Sequence, residues 1–179
     1  MRWSGHRLLL FLCAYLGAAG LVPAQAQSHH ASGGGTYFVM PGMRSEFQFN
    51  ESQVQCKVGH AVMPDGTPGL PDGTGFQMFM FSTDIDSVSI DSVAKTVTIT
   101  GTMVSIVDLY FTDGTAVTLM EVVPFLAYGE DNGTPGAGRD YFALTVVYDP
   151  DLPGLNQFDL FGSPATFAGV LATGSVVVR

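Results

Sequence analysis

Lys95-Thr96-Val97-Thr98-Ile99-Thr100-Gly101-Thr102-Met103-Val104-Ser105-Ile106-Val107 decides the fold. Val97 and Ile99 fall on one face, and Thr96, Thr98 and Thr100 on the other. That two-residue period belongs to an extended chain with one buried side. Gly101 marks a candidate bulge within it. The same alternation recurs on both sides of this stretch. Phe47 and Phe49 flank Gln48; Val54, Cys56 and Val58, with His60 after them, alternate with Gln53, Gln55 and Lys57. Downstream, Phe142, Leu144 and Val146 oppose Tyr141, Thr145 and Val147. Phe76 to Phe81 is nearly all apolar, as a strand buried in a sandwich or barrel would be, and Ile85, Val88 and Ile90 alternate with Asp and Ser. Thr115 to Tyr128 is a long β-branched run in which Pro124 implies a bend or an edge, and Ala165 to Val178 closes the chain as one long or broken strand.

Turn chemistry separates these runs. Asp113-Gly114 suits a hairpin, and residues 64–75, 130–138 and 149–154 are loops rich in Gly, Pro and Asp. The first of them exceeds ordinary loop length, which marks a mobile or a binding loop. No 3.6-residue period holds for three turns after residue 26. The reading is one antiparallel all-β domain of eight to ten strands over residues 36–179, either a sandwich or a barrel.

The first 26 residues carry a different message. Arg2 and Arg7 precede an apolar run from Leu8 to Val22, Pro23 breaks it, and Ala24-Gln25-Ala26 supplies small residues where a signal peptidase cuts. Residues 1–26 read as a secretory signal peptide, and residues 27–35 as a flexible polar and glycine arm. The expected location is secreted or periplasmic. The remaining 153 residues (179 less 26) hold five basic against sixteen acidic side chains, a formal charge of −11. Phosphate backbones and anionic headgroups repel such a chain, so no nucleic-acid partner is expected. No apolar stretch after the signal is long enough for a membrane helix. Cys13 leaves with the signal, so Cys56 has no intrachain partner and reads as a buried thiol in a strand.

The order of these elements resembles the post-COAP domain family of small secreted bacterial β domains. The glycine-led opening Ser32 to Tyr37 followed by Phe47-Gln48-Phe49-Asn50 carries part of the likeness. Asp84 to Val88 with Thr96 to Thr102, then Val122 to Gly129, Arg139 to Leu144 and Gly174 to Arg179, carry the rest. The paired cysteines of some relatives are absent. The resemblance implies an all-β secreted module, often part of a larger surface protein, and brings no catalytic residues with it.

Chemistry is sparse. His60 is the one histidine of the domain body, and no Gly-x-Ser-x-Gly elbow accompanies it, so a nucleophilic triad has no frame. Calcium takes six to eight oxygens from loop carboxylates and carbonyls. Asp84 with Asp86, Asp131 with Asp140, and Asp149 with Asp151 are the clusters that offer them. Asp is also an ordinary turn former, and none of these clusters has the EF-hand spacing. Met40, Met43, Met63 and His60 are soft groups with nothing to gather them for copper. Long β-branched runs would aggregate as open edges, so they are either paired within the sheet or used to bind a partner strand. The expectation is a non-catalytic binding, adhesion or surface-associated structural module with a protein or glycan partner. The alternative is a small secreted hydrolase or isomerase with a cleft or barrel-mouth site.

Overall fold

The computed structural model describes residues 29–40 and 42–179. The segment read as a signal peptide and the first two residues of the expected arm lie outside the described residues. Eight strands follow in chain order: β1 (Ala31–Met40), β2 (Met43–Asn50), β3 (Gln53–Val62), β4 (Gly75–Asp91), β5 (Thr96–Tyr110), β6 (Ala116–Glu130), β7 (Tyr141–Val146) and β8 (Ala165–Val178). Each pairs antiparallel with the next, and β8 returns to β1 to close a barrel. Ser32 lies opposite Val177, and Gly34 opposite Ser175. Of the two architectures the pattern allows, the barrel is the one formed.

The alternation sets inside from outside. In β5, Val97, Ile99, Met103, Val107 and Leu109 are buried, and the threonines face out. Eight strands leave an interior just wide enough for side chains to fill. Aromatic rings fill one end of it: Phe47 and Phe142 stack with centroids 4.1 Å apart, with Phe49 and Tyr37 about them. Met78, Met80 and Met103 are fully buried beyond them. Unbranched methionines suit such irregular gaps.

The glycine segment is not an arm beyond its first residues. Gly33 to Gly35 sit within β1, and at Gly33 and Gly35 a larger residue would not fit. A Cβ on Gly33 would press into the Phe49 ring, and one on Gly35 would collide with the carbonyl of Thr173. His60 differs too. The register slips between Val58 and Ala61, which turns His60 outward, and its ring covers Gly75 at 5.6 Å from Tyr110. Gly101 meets a bulge rather than making one: Asp86 is the extra residue on β4, and a Cβ on Gly101 would strike the carbonyl of Asp84. Pro124 stands where β7 pairing ends. Its carbonyl accepts from Val147 N at 3.1 Å, so its missing N–H faces that same terminated edge.

Among the described residues one helix escapes the periodicity reading, α1 (Gln157–Phe161), five residues between β7 and β8. Asn156 and Asp159 form a reciprocal capping box at its start. Gly162 ends it with φ 74°. Phe161 reaches Phe76, Tyr148 and Phe167 with ring centroids 5.7 to 6.2 Å away, so α1 stoppers the barrel. Among the described residues no helix is long and apolar enough to cross a membrane.

Candidate functional site

The six candidate acids fall in three separate places. Among the described residues no group of three His, Cys, Asp or Glu side chains gathers closely enough to hold a metal ion.

Asp131 and Asp140 stand beside the second half of β8. β7 is too short to reach it: the pairing ends at Tyr141 opposite Val170. The carboxylates take over the ladder. Asp140 Oδ2 accepts from Val176 N at 2.8 Å, and Asp131 Oδ2 accepts from Val178 N at 3.1 Å. Their other oxygens accept from Asn132 N and Gly133 N. Lys95 Nζ donates to the carbonyl of Val178 at 3.0 Å. Asp140 is fully buried, and both its oxygens are occupied by amides that would otherwise lie unsatisfied.

Asp84 and Asp86 lie on β4 beyond the reach of β3, whose pairing ends opposite Phe81. From Thr83 to Asp91, β4 pairs with β5 alone. Two bulges and three exposed acids blunt that free edge, a device against unwanted strand addition. Asp149 and Asp151 are exposed, and Asp149 Oδ1 accepts from Asp151 N at 2.9 Å, an ordinary Asx turn.

The densest polar cluster contains residues the sequence reading did not single out. Glu121 points inward under α1, and its Oε1 accepts from Gln157 N at 2.7 Å. Its Oε2 is buried without a hydrogen-bond partner. Burial pushes this carboxyl above the usual range, the Gln157 N–H opposes that, and Asp149 and Asp159 add to the rise. Gln157 Oε1 accepts from the Ser105 hydroxyl at 2.6 Å, and Gln157 Nε2 donates to the Ser105 carbonyl at 2.9 Å. Tyr148 Oη lies 3.3 Å from Ser105 Oγ, and burial raises its phenol. A depression of about 230 Å³ opens beside the cluster, lined by Thr118, Met120, Leu152 and Asn156 among others. Glu121 was legible in part: it is a lone acid at an inward position of a β-branched run.

A second cluster sits inside the wall. Cys56 Sγ is 3.3 Å from Ser45 Oγ and 3.6 Å from Tyr37 Oη. Burial pushes the thiol and the Tyr37 phenol up, so Cys56 is inert as a nucleophile at neutral pH. It is the buried strand thiol the sequence implies.

The outer wall is uneven. β2 and β3 turn Arg44, Glu46, Gln48, Gln55 and Lys57 toward solvent, whereas β4, β5 and β6 turn out Phe79, Val104, Ile106, Met120 and Val122. No family model, curated protein or solved structure matches the chain.

Proposed function

We propose that this chain is a secreted, non-catalytic β module that works by binding, in adhesion or as part of a surface assembly, with a protein or glycan partner. The observation that carries this reading is a barrel interior occupied along its length by its own side chains, from Phe49 and Phe142 to Phe161. Recognition is then left to the outer wall and the loop ends. The likeness to post-COAP domains supports the same role, and the strongly acidic surface favours solubility outside the cell. The experiment measures retention of the protein on envelope fractions and glycans, with turnover of ester, glycoside and peptide chromogens followed alongside. Saturable retention without turnover is expected.

A hydrolase or isomerase is the second reading, and Glu121 is the observation that favours it. A raised, desolvated carboxyl beside a depression has the properties of a general acid. Turnover abolished by Glu121→Gln, in a variant that still folds, would replace the binding reading with this one.

A further inference from the structure

The apolar sector of the outer wall follows from strand register. Phe79 on β4 lies opposite Ile106 on β5, which lies opposite Met120 on β6. One row along, Phe81 lies opposite Val104, and Val104 opposite Val122. Met120 is 69% exposed, Val122 68% and Phe79 41%. Leu152, on the loop beside β6, extends the patch at the Met120 end. Together with Leu126 and Val147 these side chains expose on the order of 600 Å² of apolar surface, at the upper limit of what monomers show and near what one partner of a standard interface buries.

Charge is arranged around this patch rather than in it. Lys57 flanks Phe79 on the β3 side. Asp149 and Asp151 flank Leu152 on the β6 side. Glu46 on β2 lies opposite Lys57 without forming an ion pair with it; the single ion pair among the described residues is His30 with Glu51.

We propose that this face joins two copies of the chain about a twofold axis running along β5. This deepens the binding reading above, naming the partner for one face of the wall. A rotation about the strand direction lays the β3 margin of one copy over the β6 margin of the other. Phe79 then meets the second copy's Met120, a favourable sulfur–ring contact. Lys57 meets Asp149 and Asp151, an attraction at the rims, while Asp108, which accepts from Gln77 and Thr118 on its own wall, faces its own copy at one end of the axis. A perpendicular in-plane axis would set Lys57 against Lys57. A lipid surface is a poorer fit, because a membrane barrel wears its apolar belt all round and keeps its polar residues inside. This barrel does the reverse within, and its outer apolar residues do not form a belt: Phe38, Met40 and Val170 are exposed on β1 and β8, while β2 turns out Arg44, Glu46 and Gln48.

Sedimentation velocity with light scattering on the purified protein tests the assignment, and far-UV circular dichroism checks folding. The intact protein should sediment as a dimer at micromolar concentration. Val122→Glu, an outward substitution, should weaken association at least tenfold with the spectrum unchanged, and Met120→Glu should do the same. Lys57→Asp should weaken it too, and adding Asp149→Lys and Asp151→Lys to that chain should restore it. A monomer up to about 100 µM, a larger assembly, a dimer untouched by Val122→Glu, or loss at Lys57 without rescue would overturn the proposal. So would a monomer that floats with neutral phosphatidylcholine vesicles. A dimer that fails to bind any surface sinks the module reading and leaves the dimer standing. A monomer that binds surfaces does the opposite.

Discussion

Replacing Asp140 by alanine tests the claim that carboxylates finish the sheet where β7 stops. The side chain is fully buried, with one oxygen on Val176 N and the other on Asn132 N, each at 2.8 Å. Hydrogen bonds to a charged group contribute about 1.5–3 kcal/mol each, and of the amides left behind that of Val176 is buried while that of Asn132 lies nearer solvent. Removing both should cost about 3–5 kcal/mol, a large share of the 5–15 kcal/mol that holds a domain folded. For a domain of this size that is a fall of roughly 10 °C in midpoint. Asp140→Asn keeps the shape and one acceptor but turns an amide donor toward an N–H, so about half the loss is expected. The assay is urea unfolding followed by far-UV circular dichroism, with the m-value checked for constancy. Hydrogen exchange should show the Val176 amide losing protection ahead of the barrel as a whole. A loss below about 1 kcal/mol in the alanine variant, against the 3 kcal/mol or more expected from two charged bonds, would refute the reasoning. So would an asparagine variant in which Val176 stays as protected as in the parent.

Other consequences follow from the same structure. Phe142→Ala removes the ring stacked 4.1 Å from Phe47 and should cost about 3–5 kcal/mol by chemical denaturation, and Phe142→Leu less than half of that. Glu121 is held above the ordinary carboxylate range, so the folded form binds its proton more tightly than the unfolded chain. Its contribution is therefore favourable at acid pH and is lost as pH rises through the window between the ordinary and the raised value. A thermal midpoint that falls across that window in the parent and stays flat in Glu121→Gln would bear this out. Millimolar calcium is expected to move the midpoint by less than about 1 °C, because the oxygens of Asp131 and Asp140 already accept amide hydrogens. A rise of several degrees abolished by EDTA would return these acids to metal binding. Asp84→Val with Asp86→Val should leave the midpoint nearly unchanged and speed aggregation by light scattering, since the free edge of β4 loses its charges.

Much of this fold is legible in the sequence because burial on one face writes a two-residue period. Val97 and Ile99, or Phe142, Leu144 and Val146, declare their inward side without any knowledge of partners. Closure is another matter. It depends on β1 meeting β8, residues some 140 positions apart, and a local pattern carries no information about which edges meet. The glycines show the same limit. Read locally, Ser32-Gly33-Gly34-Gly35 is a flexible tether. In the barrel it is paired strand, with Gly33 against the Phe49 ring and Gly35 against the backbone of β8. α1 leaves no periodic trace, since five residues cannot show three turns. Its signal was the capping pair Asn156 and Asp159, spaced three apart, rather than periodicity.

The acids teach a related lesson about sites. Paired aspartates at strand ends satisfy the composition rule for calcium, yet the same placement serves two other needs of a closed barrel. One is finishing a ladder where a neighbouring strand is short, as Asp131 and Asp140 do. The other is guarding an edge where a strand overshoots its neighbour, as Asp84 and Asp86 do. Both needs arise from unequal strand lengths. β4, β5 and β6 run 15 to 17 residues while β7 has six. The broad apolar sector lies where β4 still pairs with β3, Phe79 opposite Lys57, and where β6 runs past the end of β7, at Met120 and Val122. Unequal strand length thus accounts for both pairs of acids and for the stretch of β6 at Met120 and Val122 that β7 leaves uncovered.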